Sequence, residues 1–132
     1  MKKINSLLIV DDDEISNLLT SILFKELNAY THIRISENGK QALEEINDCL
    51  KKDQNCPDVI FLDVEMPIMD GFEFLDQLEA LNKNNLPIVL LTSSVHARNQ
   101  EKATKYNINV LVEKPLTEEK IKKVLFQLST RH

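Results

Sequence analysis

The chain has 132 residues, of which 42% are hydrophobic and 28% are charged, and these proportions are typical of a folded globular domain. This length can bury a core but leaves no room for a second domain of ordinary size, so we expect residues 1–132 to form one domain. Lys and Arg number 16 against 21 Asp and Glu, a formal net charge of −5 that argues against binding to nucleic acid or to an anionic membrane surface.

The N-terminal apolar run is short and ends at three aspartates. It falls far below the roughly 20 residues of a membrane-spanning helix and the roughly 7 to 15 residues of a signal-peptide core. We therefore expect a cytoplasmic protein with no membrane segment. Cys49 and Cys56 lack the spacing of a metal-binding knuckle, and we expect both to be reduced thiols.

Four short apolar runs, rich in branched side chains, recur along the chain at residues 7–10, 59–62, 88–91 and 110–112. Continuous runs of this kind are typical of strands that are buried on both faces of a parallel sheet. A weaker run at residues 32–36 alternates apolar and polar side chains, which suits an edge strand.

The segments between these runs have the three-and-four spacing of amphipathic helices. Their apolar positions are Ile15, Leu18, Leu19, Ile22 and Leu23; Ala42, Leu43, Ile46 and Leu50; Phe72, Leu75, Leu78 and Leu81; and Ile121, Val124, Leu125 and Leu128 after a capping Thr117. Residues 102–106 give a shorter, less apolar helix. Strand and helix thus alternate five times, which predicts a doubly wound α/β fold with a five-stranded parallel sheet and helices on both faces.

Polar residues follow four of the predicted strands directly. They are Asp11 and Asp12, then Asp63, then Thr92 and Ser93, and finally Glu113 and Lys114. In an open parallel sheet, ligands bind beyond the carboxyl ends of the strands. We therefore expect carboxylates, a hydroxyl and an ammonium group to face one crevice.

The aspartates at 11–13 have two interpretations. An acidic turn can cap the helix that follows, because acidic residues favour helix N-termini. At the end of a buried strand, however, adjacent carboxylates repel one another unless protons or a cation neutralise them, and such a cluster suits Mg²⁺ or Mn²⁺. Asp63 and Lys114 also have plain alternatives, a strand-ending turn and a surface lysine before a proline.

Taken together, five stretches of the chain resemble the receiver domain of two-component response regulators. They are LLIVDDD at 7–13, VIFLDVEMP at 59–67, MDG at 69–71, PIVLLTS at 87–93 and EKP at 113–115, and the resemblance runs from about residue 4 to residue 128. It implies a flavodoxin-like, CheY-like sheet with strand order 2-1-3-4-5. It also implies a single receiver domain over residues 1–132, without an output domain.

The resemblance implies that Asp63 accepts a phosphoryl group. It further implies a Mg²⁺ or Mn²⁺ site formed by Asp11, Asp12, Asp63 and the backbone carbonyl of Glu65, with Thr92 and Lys114 contacting the phosphoryl group. These roles make electrostatic sense, because a carboxylate is a weak nucleophile towards an anionic phosphoryl group. A cation, an ammonium and a hydroxyl donor would offset the repulsion.

Four further positions bear on mechanism. Asp13 lies one place beyond the acidic pair, and we expect it to cap the first helix. Glu65 and Ser94 match positions that tune hydrolysis of the acyl phosphate in the family. Leu111 stands where many receivers carry a Tyr or Phe that swings inward, so a signal would have to use the loop after Thr92, and Leu111 itself is expected to be ordinary strand packing.

The resemblance also implies the partners. The phosphoryl group would come from a sensor histidine kinase or a histidine phosphotransfer protein, and the signal would leave through a target bound to the face of the fourth helix, fifth strand and fifth helix, or through onward phosphorelay. A receiver that binds partners without phosphorylation is a further alternative.

Two other classes fit the chain less well. A haloacid dehalogenase-type phosphatase would need Asp-x-Asp where this chain has Asp63 and Glu65. A flavin or dinucleotide carrier would need a glycine-rich first turn, whereas the two glycines are Gly39 and Gly71.

Overall fold

The structure is a computed structural model that describes residues 4–81, 86–94, 97–106, 108 and 110–130. Its strands are β1 (Ile4–Val10), β2 (Tyr30–Ser36), β3 (Val59–Asp63), β4 (Ile88–Thr92) and β5 (Leu111–Glu113). Its helices are α1 (Glu14–Glu26), α2 (Gly39–Lys52), α3 (Gly71–Leu81), α4 (Ala97–Lys105) and α5 (Glu118–Ser129). Among the described residues, no helix is both long enough and apolar enough to cross a membrane.

The strands pair in parallel in the order β2-β1-β3-β4-β5, so the predicted fold is confirmed. In the described sheet β2 pairs with β1 alone, as expected of an edge strand. Strand and helix alternate because each buried strand ends in polar residues that begin a turn into the next helix.

The core lies in two layers, because successive side chains of a strand point to opposite faces of the sheet. One layer packs against α2 and α3 and includes Leu8, Val10, Ile60, Leu62 and Leu90. The other packs against α1 and α5 and includes Leu7, Ile9, Phe61, Val89 and Leu91. The three central strands are thereby buried on both faces, which fixes their polar ends at one edge of the sheet.

The register of the sheet aligns these ends. Val10 lies opposite Leu62, so the residues after β1 and the last residue of β3 are neighbours. Thr92 lies opposite Glu113, which sets Lys114 beside the end of β4. The Lys114 backbone N–H donates to the Thr92 carbonyl at 2.7 Å.

The apolar spacing of α1 correctly predicts a helix, but of its five apolar positions only Leu23 packs against the core. Ile15, Leu18, Leu19 and Ile22 are exposed, with Ile15 at 71%. The buried positions are Asn17, Thr20 and Phe24. The helix is held instead by an edge-to-face contact of Phe24 with Phe61, whose ring centroids are 5.3 Å apart, and by the Asn17 amide, which donates to the Asp11 carbonyl at 2.9 Å.

The expectation of two reduced thiols is wrong, because Cys49 and Cys56 form a disulfide. Cys49 lies on α2, and the chain reverses after the helix through Asp53 and Asn55, whose φ angles are +51° and +62°. These two left-handed residues bring the Cα atoms of the cysteines to 5.2 Å, within the range that a disulfide requires.

Candidate functional site

Three of the predicted carboxylates meet at the edge of the sheet. One oxygen each from Asp11, Asp12 and Asp63 can be chosen so that all lie within 4.8 Å of one another. Asp11 and Asp63 are buried and Asp12 is exposed, so the cluster opens to solvent on one side. Carboxylate oxygens at this spacing suit a hard divalent cation, and the open side leaves room for water ligands. The cluster therefore fits the predicted metal.

Lys114 reaches into this cluster from the far side of β4. Its Nζ lies 2.7 Å from Asp11 Oδ2 and 3.4 Å from Asp63 Oδ2. Burial lowers the pKa of the Lys114 ammonium, but the hydrogen bond and the charge of Asp11, together with Asp63, outweigh it and raise the pKa above its ordinary value. Lys114 is therefore a fixed positive charge between the two buried carboxylates. Its peptide bond to Pro115 is cis.

Asp63 is the less well compensated carboxylate of the pair. Burial, followed by the nearby charge of Asp11, raises the pKa of Asp63 to about 7, while Lys114 and the Glu65 backbone N–H oppose the shift. That N–H donates to Asp63 Oδ1 at 3.2 Å. The ionised form of Asp63 is thus unfavourable in the folded protein unless additional positive charge, such as a divalent cation, binds nearby.

The start of α1 fixes the orientation of Asp11. Asp13 caps the helix as predicted and accepts from the backbone N–H groups of Ile15 and Ser16. Asp11 Oδ1 accepts from the Asp13 N–H at 2.9 Å, and Asp11 Oδ2 accepts from the Ser16 hydroxyl at 3.2 Å. Asp11 therefore cannot rotate freely away from Lys114.

The loop after β3 is shaped by close backbone approach. A Cβ on Gly71 would lie 2.8 Å from the Asp63 carbonyl oxygen, so this position has no room for a side chain. Asp70, directly before α3, accepts from the Glu73 N–H at 2.9 Å and so caps the start of that helix. Ile68 is fully exposed with a φ of +69°, a strained conformation for a β-branched residue.

Thr92 is buried at the end of β4, but its hydroxyl contacts Glu65. Thr92 Oγ1 lies 2.8 Å from Glu65 Oε1 and 2.9 Å from the Ser94 carbonyl oxygen. Partial burial raises the pKa of the Glu65 carboxyl, but hydrogen bonds from Ser93 and Thr92 outweigh it and hold the pKa below its ordinary value. The sequence pattern gives Glu65 a metal contact through its backbone carbonyl and an effect on acyl phosphate hydrolysis, but it does not predict the contact of the Glu65 carboxylate with Thr92 and Ser93.

Leu111 is half-buried and packs against the core layer of α2 and α3. This agrees with the prediction of ordinary strand packing. Phe72 of α3 and Tyr106 after α4 belong to the same core layer, and their rings stack with centroids 6.0 Å apart. Tyr106 also donates to Asp76 of α3. An aromatic contact therefore joins α3 to the residue after α4, whereas β5 carries no aromatic side chain.

Comparison with known proteins gives a family match over most of the chain. Residues 7–126 match the family described as the response regulator receiver domain. The sensor protein EvgS of Escherichia coli K12 is 35% identical over 124 residues, which is 93% of this chain and 10% of EvgS. The chain thus spans a tenth of the length of that relative.

Solved structures agree in fold. A two-component response regulator from Cytophaga hutchinsonii is 28% identical with a TM-score of 0.87, covering 98% of this chain and all of that one. The receiver domain of the histidine kinase CKI1 from Arabidopsis thaliana, complexed with Mg²⁺ and BeF3⁻, has a TM-score of 0.82 at 20% identity, covering 96% of this chain and 91% of that one. With its fold and motifs, this chain belongs to the response regulator receiver domain family.

Proposed function

We propose that the protein is a phosphoacceptor signalling module that takes a phosphoryl group on Asp63 in a Mg²⁺-dependent reaction. The observation that carries this proposal is the meeting of Asp11, Asp12 and Asp63 with the Lys114 ammonium at one edge of the sheet. Three carboxylates and one ammonium leave a negative site, which a divalent cation would complete.

In this proposal Asp63 is the nucleophile, and its carboxylate oxygen forms the new bond to phosphorus. A phosphohistidine donor loses its bond from phosphorus to the imidazole nitrogen, so the phosphoryl group is transferred without net oxidation. Asp11, Asp12, Asp63 and the Glu65 carbonyl would hold Mg²⁺, which when bound offsets negative charge on the phosphoryl oxygens. Lys114 would then turn from the carboxylates to those oxygens.

The test uses a small phosphodonor so that no partner is needed. Purified protein is mixed with Mg²⁺ and acetyl phosphate, and its intact mass is measured. We expect a gain of one phosphoryl group that is absent in Asp63→Asn and after removal of the metal by EDTA. Asp53→Asn is the matched control, because Asp53 is exposed and its φ of +51° suits asparagine. Uptake that persists in Asp63→Asn would refute the assignment of the acceptor.

Catalytic phosphatase activity is the outcome that would favour an enzyme instead. We propose that the chain has no reaction beyond its own phosphorylation and dephosphorylation. Incubation with p-nitrophenyl phosphate and Mg²⁺ tests this, and steady turnover that is lost in Asp63→Asn would overturn it.

The phosphodonor is proposed to be a sensor histidine kinase or a histidine phosphotransfer protein that docks on the exposed apolar face of α1. This face consists of Ile15, Leu18, Leu19 and Ile22. It follows directly after the acidic cluster, and residues at these intervals are the anchors of helix-to-helix docking. A partner helix lying there would bring its histidine near Asp63.

Substitution of Leu18 by Ala separates docking from chemistry. We expect Leu18→Ala to slow transfer from histidine kinases of the source organism at least tenfold, while uptake from acetyl phosphate stays within twofold of wild type. Lys122→Ala, on the exposed side of α5, is the control. Equal slowing with both donors would show that Leu18 acts on folding or on the site itself.

The output surface is proposed to be the face of α4, β5 and α5. Thr92 and Lys114 lie at the ends of β4 and β5, so a phosphoryl group that draws them in would displace the segments that lead into these helices. Backbone NMR shifts on phosphorylation should therefore extend into α4, β5 and α5. Shifts confined to the acidic cluster would argue against this surface.

We further propose that the receiver acts as a stand-alone, cytoplasmic module that signals through a partner or an onward relay. The protein is isolated from its native cell and its intact mass is measured. A mass equal to that of the 132-residue chain would support the stand-alone module, and a larger mass would contradict it. Recovery in the cytosolic fraction would support the cytoplasmic location, and recovery in the membrane fraction would contradict it.

A further inference from the structure

The Glu65 carboxylate joins two loops of the site. Besides the Thr92 hydroxyl, Glu65 Oε1 lies 2.8 Å from the Ser93 backbone nitrogen and 2.7 Å from the Ser93 hydroxyl. Three donors from the end of β4 therefore converge on one side chain from the loop after β3. Hydrogen bonds to an ionised acceptor are roughly twice as strong as neutral ones, so this is a firm contact.

The Thr92 hydroxyl is fully engaged in this arrangement. Its single proton is within reach of Glu65 Oε1 and the Ser94 carbonyl, and its oxygen accepts from the Ser94 N–H at 3.1 Å and the Asn99 amide at 3.2 Å. Across the described structure, none of the hydrogen bonds of Thr92 goes to Asp63. A hydroxyl with one proton cannot donate to Glu65 and to a phosphoryl oxygen at the same time.

We propose that Glu65 is a positioning residue that acts through Thr92 and Ser93. Its carboxylate holds the end of β4 in the unphosphorylated arrangement, and a phosphoryl group on Asp63 has to displace it from the Thr92 hydroxyl. Glu65 therefore sets how much of the unphosphorylated protein adopts the signalling arrangement. This inference rests on the proposed phosphoacceptor function.

Simple charge repulsion is the rival explanation, since Glu65 is an anion close to the place of a phosphoryl group. The two explanations differ at Ser93. Replacing Ser93 by Ala removes one of the bonds that hold Glu65 but leaves its charge and the Thr92 hydroxyl intact. Repulsion alone predicts that Ser93→Ala has no effect, whereas the positioning role predicts that it weakens the contact.

The probe is beryllofluoride, an anionic mimic of the phosphoryl group, titrated into Mg²⁺-saturated protein and followed by NMR. Glu65→Gln keeps the backbone carbonyl and the side-chain length, and we expect it to tighten beryllofluoride binding about tenfold, with about threefold for Ser93→Ala. The control Glu14→Gln removes an exposed carboxylate at the start of α1 and should change affinity less than twofold.

A double-substitution cycle separates the two explanations further. In a Thr92→Val background, which lacks the hydroxyl, we expect the gain from Glu65→Gln to shrink to threefold or less. A gain that stays tenfold in this background, or an unchanged affinity in Ser93→Ala, would overturn the proposal in favour of repulsion.

Spectra without any ligand provide a second readout, which a failure of phosphoryl chemistry cannot obscure. Glu65→Ala should shift the Ser93 amide proton upfield, speed its exchange with solvent and move the Thr92 methyl signal, whereas Glu14→Gln should not. Unchanged Ser93 and Thr92 signals would overturn the proposed contact. Wild-type protein that fails to bind beryllofluoride with Mg²⁺ would count against the proposed function instead, and the ligand-free spectra would still decide the role of Glu65.

Discussion

Substitution of Asp63 by Asn should stabilise the metal-free protein, and the gain should grow with pH. The Asp63 side chain is 3% exposed. It shares the Lys114 ammonium with Asp11, and the ammonium nitrogen lies closer to the Asp11 carboxylate, at 2.7 Å, than to the Asp63 carboxylate, at 3.4 Å. Burial and the Asp11 charge raise the pKa of Asp63 from an ordinary 3.8 to about 7. Between about pH 4 and pH 7, the metal-free folded protein therefore keeps a proton on Asp63 that the unfolded chain has already released.

The sign follows from this difference in bound protons. A carboxyl with a raised folded-state pKa contributes stability that is fully present below about pH 4, and that contribution is lost as the pH rises through about 7. A difference of about 3 pH units corresponds to about 4 kcal/mol at most. Since the Lys114 ammonium offsets part of the cost of ionising Asp63, we expect a gain of about 2 kcal/mol for Asp63→Asn at pH 8.

Urea unfolding in EDTA at pH 5 and at pH 8 measures this gain directly. The gap in the free energy of unfolding between Asp63→Asn and wild type should widen from pH 5 to pH 8, and it should widen more than the corresponding gap for the exposed control Asp53→Asn. Added Mg²⁺ should narrow the gap by stabilising the wild type. A gap of the same size at both pH values would refute the idea that ionised Asp63 destabilises the fold.

Three further substitutions test other parts of the structure. Lys114→Met leaves buried Asp11 without its ammonium partner and should lower the free energy of unfolding in EDTA by about 2 kcal/mol, largely restored by Mg²⁺; a loss that Mg²⁺ does not restore would contradict this. Gly71→Ala places a Cβ 2.8 Å from backbone atoms of the loop after β3. Thermal unfolding should therefore show a free energy of unfolding that is lower by about 1–2 kcal/mol, despite the better helix propensity of Ala. Unchanged stability would show that the loop backbone moves to accommodate the methyl group. The disulfide closes a short loop, so its reduction by dithiothreitol should lower the free energy of unfolding of the wild type by about 2.5 kcal/mol. Dithiothreitol should not change the stability of Cys56→Ser, which has no disulfide. Equal sensitivity of the two proteins would show that dithiothreitol acts elsewhere.

The sheet and the acidic cluster were predictable because both follow from local pattern. Strands that are buried on both faces consist of continuous apolar runs, and the polar residues that end them must lie at one edge of a parallel sheet. Asp11 and Asp63 come together for that reason, with no information beyond the order of strands that the family resemblance supplied. Lys114 follows from the same reasoning, since it comes directly after β5.

The orientation of α1 was not predictable from periodicity, because spacing shows that a helix has an apolar face but not which way that face points. Here the inward positions are fixed by tertiary contacts of Asn17 with the end of β1 and of Phe24 with Phe61. The apolar side chains Ile15, Leu18, Leu19 and Ile22 are left exposed. The same limit applies to Glu65, whose side-chain role depends on the distance between two loops that are 27 residues apart in sequence.

The disulfide shows a different limit. Cysteine spacing can indicate a metal knuckle, but whether two cysteines meet depends on the backbone between them. In this chain the left-handed conformations of Asp53 and Asn55 reverse the chain after α2. Asp and Asn tolerate that conformation better than most residues, so their presence between the cysteines is the signal that could have predicted the contact.

The charge balance of the site links distant parts of the sheet. Asp11 follows β1 and Asp63 ends β3, whereas the ammonium that offsets them follows β5, two strands away from β3. A phosphoryl group on Asp63 would add negative charge and three acceptor oxygens, so it would compete with Asp11 for Lys114 and with Glu65 for Thr92. In the proposed mechanism, both competitions would move backbone that leads into α4 and α5. The signal would then pass to that face through these two polar contacts while Leu111 keeps its place in the core, so the proposed mechanism needs no aromatic switch on the fifth strand.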